Sequence, residues 1–401
     1  MNLPDHPIWT QTTPYKSRIS SFKKPFHILR IKIAKQFARI FKRELFIGVT
    51  GSVGKTTCVQ AIDAVLSEKI KVISTKPNLD PILNIPITIL NIRPNTKKVI
   101  LEMGIEFKGE MEFYISIVRP KTVVVTRLYF AHSEYLGSVD DIIGEKGKLI
   151  EQLPEDGVAI LNFDDINCRK LAQRTKAEII YFGKDKKNCS IWADKIRIEN
   201  FNTVFELNYG VERVEIKYQL IGEHQVYSAL AAAAIGVIEG LSLIQIKKGL
   251  EKVIPAEHRL QFVEGFNGAT ILDDTYNNAS PIGAEAAIDT LMSIPSKRRI
   301  LVMGEMRELG SYSEELHRQI ARKIYDEKPD YVFLGTGDAT IVADELIRLG
   351  FWEEKLESNL QNPQIVSKLL KLLSKGDICL IKASRSLRMD EVVKRIAKKQ
   401  K

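Results

Sequence analysis

Cysteine is scarce in this chain of 401 residues: Cys58, Cys168, Cys189 and Cys379 stand far apart, with no CxxC pair. That spacing excludes a zinc ribbon and a disulfide framework, and it fits a reducing, cytoplasmic setting. Long hydrophobic runs are missing too. The longest, Ala229 to Ile238, falls far short of a bilayer span, so no transmembrane helix is expected. Near the N-terminus, prolines, Asp5 and His6 occupy the place of a signal peptide's apolar centre, and no such signal is expected. Internal repeats and low-complexity tracts are absent. Acid is nearly missing from one stretch: residues 1–43 hold ten Lys or Arg and only Asp5. From totals of 59 basic and 50 acidic residues, this leaves 49 of each sign beyond residue 43. The net charge of +9 is thus a property of a basic arm, and the neutral body gives no electrostatic case for nucleic acid.

What is present is the composition of a folded chain, 44% hydrophobic and 27% charged, long enough for two or three domains. Residues 1–21 read as an irregular lead. Phe26 to Arg43 reads as a helix with Phe26, Leu29, Ile33, Phe37, Ile40 and Phe41 in one sector. Lys32, Lys35, Gln36, Arg39, Lys42 and Arg43 lie opposite, with Ile28 and Arg30 out of place. From Glu44, strands and helices alternate. Strands are expected at Leu45–Val49, Lys98–Met103, Thr122–Thr126 and Val158–Leu161, and helices at Lys55–Leu66 and Val139–Leu153. Residues 190–220 switch to period-two alternation, the mark of an antiparallel appendage. An alanine-rich helix follows at Glu223–Glu239. A second α/β rhythm has strands at Ala269–Asp273, Arg299–Met303, Tyr331–Leu334 and Asp377–Ile381. The expected division is an arm (1–44), a central domain (45–256) and a C-terminal α/β domain (257–401).

The strongest local signal is "GVTGSVGKTT", Gly48–Thr57, where a strand gives way to a helix. Backbone amides of Gly51, Ser52, Val53 and Gly54, with the helix N-terminus at Lys55, Thr56 and Thr57, can cradle a phosphate chain. Lys55 would reach the β- and γ-phosphates of ATP, and the Thr56 hydroxyl would take Mg²⁺. Val49 stands where the strict pattern has its first glycine, one place after Gly48. The expected fold is α/β: a P-loop ATPase-like domain on a mainly parallel sheet, then a Rossmann-like domain.

That variant loop resembles the Mur ligase family, the ATP-dependent amide-bond ligases of peptidoglycan synthesis. Other segments are similar in the same order: "NLDPILNIP" (Asn78–Pro86), "LEMG" (Leu101–Gly104) with "KGEM", "AHSEYLGS" (Ala131–Ser138), "EKGKLI" (Glu145–Ile150) and "GEHQVYSALAAAA". "DDTYNNASP" (Asp273–Pro281), "MGEMRELG" (Met303–Gly310) and "KASRSLRMDEVV" (Lys382–Val393) resemble its D-alanyl-D-alanine-adding MurF type. The resemblance implies a carboxylate activated as an acyl phosphate and then attacked by an amine, with ADP and phosphate released. Such chemistry crowds negative charge, so divalent metal and cationic side chains must offset it.

By its place at a strand end, Glu102 is a candidate hard-oxygen ligand for Mg²⁺. The resemblance adds His132 as a second ligand and Lys146 as a carbamylated, metal-binding lysine. Without it, His132 is a loop histidine and Lys146 a solvated helix charge. It also implies that Arg259, Asp274, Tyr276 and Asn277 face the nucleotide, while Lys382, Ser384 and Arg385, with Arg127, serve the substrates. Asn162, Asp164 and Asp165 read as a nucleotide-adjacent turn.

Departures from the family are equally specific. Only about 44 residues precede the phosphate loop, so no counterpart is expected here for the domain that holds the UDP-sugar end of the substrate. Arg127 stands for the usual asparagine, Gln225 and Ser228 for two asparagines near the nucleotide, and His258 for a glycine. The expected activity is ligation of D-alanyl-D-alanine to a muramyl peptide by a monomer. Alternatives are a lipid-linked wall precursor as acceptor, or a non-catalytic ATP-binding scaffold. The arm, residues 16–43, is a candidate for peripheral contact with anionic membrane at the inner face. Phe37, Ile40 and Phe41 packing on the ATPase domain is the competing expectation.

Overall fold

The computed structural model describes residues 23–398; the lead segment with Lys16 and Arg18 lies outside them. By contacts the chain divides into two units. The first takes the described residues up to 129 with 135–219 and 224–254; the second takes 130–134, 220–223 and those from 255 onward.

In the first unit, strands run β1 (Phe46–Thr50), β2 (Val72–Ser74), β3 (Lys98–Glu102), β4 (Thr122–Val125), β5 (Val158–Asn162), β6 (Glu178–Gly183), β7 (Ile191–Glu199), β8 (Asn202–Tyr209) and β9 (Glu212–Tyr218). Helices are α1 (Lys24–Ala38), α2 (Lys55–Leu66), α3 (Pro81–Leu90), α4 (Glu110–Ile117), α5 (Ser133–Leu136, whose first two residues count with the second unit), α6 (Val139–Glu151), α7 (Ile166–Lys170), α8 (Val226–Ile238) and α9 (Leu243–Leu250). One nine-stranded sheet has the order β2-β3-β1-β4-β5-β6-β7-β8-β9. β1 lies between parallel β3 and β4, and all five of its residues are buried, as an unbroken apolar run covered on both faces requires.

Residues 190–220 do form antiparallel strands, but not a separate appendage. β7 pairs in parallel with β6 through Phe182–Ile191 and Gly183–Trp192, so the hairpins extend the main sheet. The β7–β8 turn is the two-residue type that needs left-handed backbone, and Asn200 and Phe201 supply it with φ of 47° and 61°. The alanine-rich α8 is buried nearly all round and packs on α2, which is why its sequence shows no polar face.

The arm departs from expectation in two ways. Its helix ends at Ala38 rather than Arg43, and the Arg43 guanidinium turns inward to donate to the carbonyls of Arg119, Pro120 and Gln152. The buried face is Ile31, Ala34 and Ala38, set against α3 and α4. Small alanines let the helices approach, so the face poorest in bulk is the one that docks. Phe37 and Phe41 are half-buried against the core, whereas Phe26, Leu29, Ile33 and Ile40 stay exposed.

The second unit holds β10 (Gln261–Glu264), β11 (Thr270–Asp274), β12 (Arg298–Met303), β13 (Tyr331–Gly335), β14 (Leu356–Leu360) and β15 (Asp377–Lys382). Its helices are α10 (Pro281–Ser293), α11 (Ser313–Glu327), α12 (Ala339–Arg348), α13 (Asn362–Leu372) and α14 (Asp390–Ile396). The order is β10-β11-β15-β12-β13-β14, parallel except for β10. Edge strands β10 and β14 are short and partly polar, so period and hydropathy did not reveal them.

Candidate active site

At the carboxyl end of β1 the chain turns through Gly51–Gly54 into α2, whose first residue is Lys55. Gly51 has φ 146°, and a Cβ there would sit 2.0 Å from Thr126 Oγ1, so only glycine fits. The loop is braced from the end of β4: Ser52 N–H donates to the Arg127 carbonyl (2.6 Å), Ser52 Oγ to Tyr129 O (2.7 Å), and Thr126 Oγ1 to Val53 O (2.6 Å). Asn162 and Asp165 hold that brace in turn. Asn162 Nδ2 donates to Thr126 O (2.9 Å), and Asp165 Oδ2 accepts from Leu128 N–H (2.6 Å). Asp164 accepts from the Tyr227 hydroxyl at 3.0 Å. The turn read as nucleotide-adjacent therefore supports the phosphate loop from behind.

The Lys55 ammonium donates to the carbonyls of Gly51 (2.9 Å) and Ser52 (3.2 Å), arched over its own loop. Gly104 makes room for that arch, since a Cβ there would meet Lys55 Cε at 2.8 Å. One residue on, the Thr56 hydroxyl donates to the Glu102 carboxylate (3.0 and 3.2 Å). The α2 ladder opens with Cys58 N–H to Gly54 O, so the amides of Thr56 and Thr57 have no acceptor within the helix. This end of α2 is suited to an anionic phosphate. Among the described residues, no three His, Cys, Asp or Glu side chains converge into a ready-made metal cage. A hydroxyl beside a single carboxylate instead fits Mg²⁺, which keeps waters and substrate phosphates among its ligands.

Lys146, on α6, is fully buried and its Nζ has no hydrogen-bond partner. Burial first, then repulsion from Lys55, pulls its ammonium well below the ordinary lysine range. Nearby Glu110, Glu145 and Glu106 oppose that; of these, Glu145 accepts from Gly109 N–H (2.6 Å) and the Lys148 ammonium (2.6 Å), and Glu110 from Glu106 N–H (2.6 Å) and Phe107 N–H (3.0 Å). A neutral, unpartnered amine is the form that can add to carbon dioxide. Glu110 and Glu145 escaped the sequence reading, because nothing in their spacing reports that they hold a loop.

His132 belongs by contacts to the second unit, and so does its partner. Its Nδ1 pairs with Glu308, Ser133 Oγ donates to Leu309 O (3.2 Å), and Glu134 N–H donates to Glu308 O (3.0 Å). Both His132 (φ 57°) and Glu308 (φ 63°) have left-handed backbone, a cost that side chains other than glycine carry mainly where position matters. A carboxylate on Nδ1 orients the ring and favours the tautomer whose proton is on Nδ1. Glu308 lies inside the "MGEMRELG" segment, the only sign of it in sequence. The loop carrying it is tied down by buried His317, whose Nε2 accepts from Met306 N–H (2.9 Å) while Nδ1–H donates to Ser313 O (2.7 Å).

The remaining residues read as nucleotide and substrate contacts gather at the carboxyl ends of β11 and β15, adjacent parallel strands. The Arg259 guanidinium lies 4.5 Å over the Tyr276 ring, and Arg385 lies 5.9 Å from it. Lys382 is 4% exposed; its ammonium meets Asp274 (2.7 Å) and the Asn277 carbonyl (2.7 Å). Ser384 Oγ donates to Asn278 O at 3.4 Å. Lys382 is thus engaged in holding the loop, and the exposed Arg385 is the better group to meet a carboxylate. His258, with φ 60°, pairs through Nδ1 with buried Asp273 at 2.7 Å.

Residues 49–236 match the Mur ligase middle domain, and residues 258–385 the Mur ligase, glutamate ligase domain. The UDP-N-acetylmuramoyl-tripeptide--D-alanyl-D-alanine ligase of Bacillus subtilis is 31% identical over 364 residues, spanning 90% of this chain and 78% of that one. Its Escherichia coli counterpart is 30% identical, over 87% of this chain and 76% of its own length. MurF from Acinetobacter baumannii superposes with a TM-score of 0.83 at 25% identity, covering 92% and 80% of the two chains. The MurF ligase from Thermotoga maritima in complex with ADP, 24% identical, gives 0.81 over 96% and 86% and speaks to the fold alone. A phosphate loop of this spelling, its acidic strand end and the two matched domains place the chain in the Mur ligase family, among the MurF ligases.

Proposed function

We propose that this protein is an ATP-dependent amide ligase that joins D-alanyl-D-alanine to a muramyl peptide in peptidoglycan precursor synthesis, with ATP and Mg²⁺ as cofactors. The observation that carries this reading is the Thr56 hydroxyl on the Glu102 carboxylate at the mouth of the phosphate loop. Magnesium, when bound, supplies charge neutralisation for the transferring phosphoryl group. Thr56 and Glu102 would hold it. His132, oriented by Glu308, has the tautomer of a metal ligand. Lys146, as a carbamate, would turn a buried amine into a further oxygen ligand: the amine adds to carbon dioxide and releases one proton.

Lys55 and the Gly51–Thr57 amides would grip the phosphates as the acceptor carboxylate attacks and ADP departs. Amine attack on the acyl phosphate then forms the amide and frees phosphate. Arg259 and Tyr276 offer a cationic and aromatic surface to the nucleotide, and Arg385, aided by Ser384 and Arg127, suits the carboxylates of the substrates. Lys382, Asp274 and Asn277 act as the frame of that loop. The protein would work as a monomer in the cytoplasm.

A second reading keeps the chemistry and changes the acceptor to a lipid-linked precursor; the exposed apolar side of α1 favours it. Phosphate release with UDP-linked, lipid-linked and unlinked muramyl peptides, each with and without D-alanyl-D-alanine, tests both. Release that requires acceptor and dipeptide together, with the product identified by mass, is expected. Release indifferent to the dipeptide for every acceptor would overturn the assignment.

A further inference from the structure

The arm helix is held on one side and bare on another. Ile31, Ala34 and Ala38 fix α1 to α3 and α4, so its orientation on the first unit is set by core packing. Phe26, Leu29 and Ile33 recur at helical spacing along a different face and are 59%, 56% and 50% exposed, and Ile40, in the turn after the helix, is 73% exposed. A stripe of three large apolar side chains on one helix, continued by Ile40 in the turn that follows, is not the scatter of single exposed hydrophobics found on ordinary surfaces.

The charge beside the stripe identifies what it fits. Lys32 and Arg39 are exposed along its edge, and the Arg30 guanidinium stacks 4.6 Å over the Phe26 ring. No Asp or Glu occurs between His6 and Arg43, so nothing acidic on the arm offsets these cations. An apolar stripe with a cationic margin is complementary to an interface that is apolar below and anionic at its surface. A second copy of the chain would set one cationic margin against another, which disfavours a self-complementary contact. Nucleic acid would engage the charge and leave the stripe in water.

We infer that α1 docks this protein peripherally on an anionic lipid surface, lying in the interface plane with Phe26, Leu29 and Ile33, and Ile40 of the turn that follows, directed into it. The inference is independent of the ligase chemistry, which no residue of this face serves. Docking here delivers the first unit to the membrane in one fixed orientation, because the opposite face of the helix belongs to its core.

Sedimentation of the full chain with vesicles is the test, using phosphatidylcholine alone or mixed with phosphatidylglycerol. At low salt, binding to the mixed vesicles should exceed that to neutral ones by about tenfold or more, and it should fall as salt is raised. Leu29→Glu combined with Ile33→Glu should lower binding at least about tenfold while leaving thermal unfolding and phosphate release unchanged, since both side chains are exposed. Lys32→Glu with Arg39→Glu should weaken binding to the anionic vesicles alone. Equal sedimentation of wild type and the Leu29/Ile33 variant would overturn the inference, as would no binding at low salt. A dimer by sedimentation velocity that the same variant converts to monomer, without vesicle binding, would make the stripe a subunit contact and overturn it as well.

Discussion

Two clusters, one in each unit, treat their basic side chains differently. In the first unit Lys55 rests on the neutral carbonyls of Gly51 and Ser52, and the Lys146 amine meets no hydrogen-bond partner at all. In the second unit Lys382 meets Asp274, His258 meets Asp273, and Arg259 and Arg385 face the Tyr276 ring. An ammonium held on the loop's own carbonyls is positioned at the loop itself. One neutralised by a carboxylate in a buried setting is committed to shape, because separating the pair would leave a desolvated charge. The contrast teaches that the second cluster uses its ion pairs to hold a loop, which leaves Arg385 and Tyr276 presented.

The sharpest way to break this contrast is to remove a first-unit lysine. Lys55→Ala should lower phosphate release by roughly 10³-fold or more, with the urea unfolding midpoint nearly unchanged. Turnover like the wild type would remove Gly48–Thr57 as the ATP site. Lys146→Ala should cost about 10²-fold or more in the same assay and recover in part with added acetate. Lys146→Met should be at least as stable as the wild type, since it removes a buried amine that has no partner. Full activity in either Lys146 variant would make it a structural lysine.

In the second unit the order reverses. Lys382→Met strands Asp274 and should cost about 2–3 kcal/mol of stability, read by urea denaturation, with activity lost through the loop. Adding Asp274→Asn should restore most of the stability. If Lys382→Met unfolds like the wild type, the pair is not what fixes that loop.

The smallest effect concerns the second unit's exception, a loop held by a neutral group. Burial holds the His317 imidazole below histidine's ordinary 6.5, and it accepts from Met306 N–H only when unprotonated. The unfolded chain takes up this proton more readily than the folded one. Its contribution is therefore complete above pH 6.5 and declines as pH falls below that value, by up to about 1.4 kcal/mol per pH unit. Replacing it by Gln should flatten stability against pH below about 6.5, while an unchanged profile would show that the imidazole contributes nothing to it.

What sequence alone determined was everything contiguous. The phosphate loop is legible because strand, glycine turn and helix follow one another, so β1 and α2 stand where the pattern puts them. The two α/β rhythms are equally plain, since each parallel crossover leaves its own helix in the chain. Only the tertiary structure decided the rest. It brought Thr56 onto Glu102 across 46 residues and His132 onto Glu308 across 176, and it took Lys382 out of solvent. It also chose the face of α1 that docks. Helical periodicity reports where bulky apolar groups lie, but Ala34 and Ala38 allow the closer approach to α3, and packing rewards that proximity. Long-range partners and close approach leave no mark in spacing, because spacing counts residues along the chain while side chains meet through space.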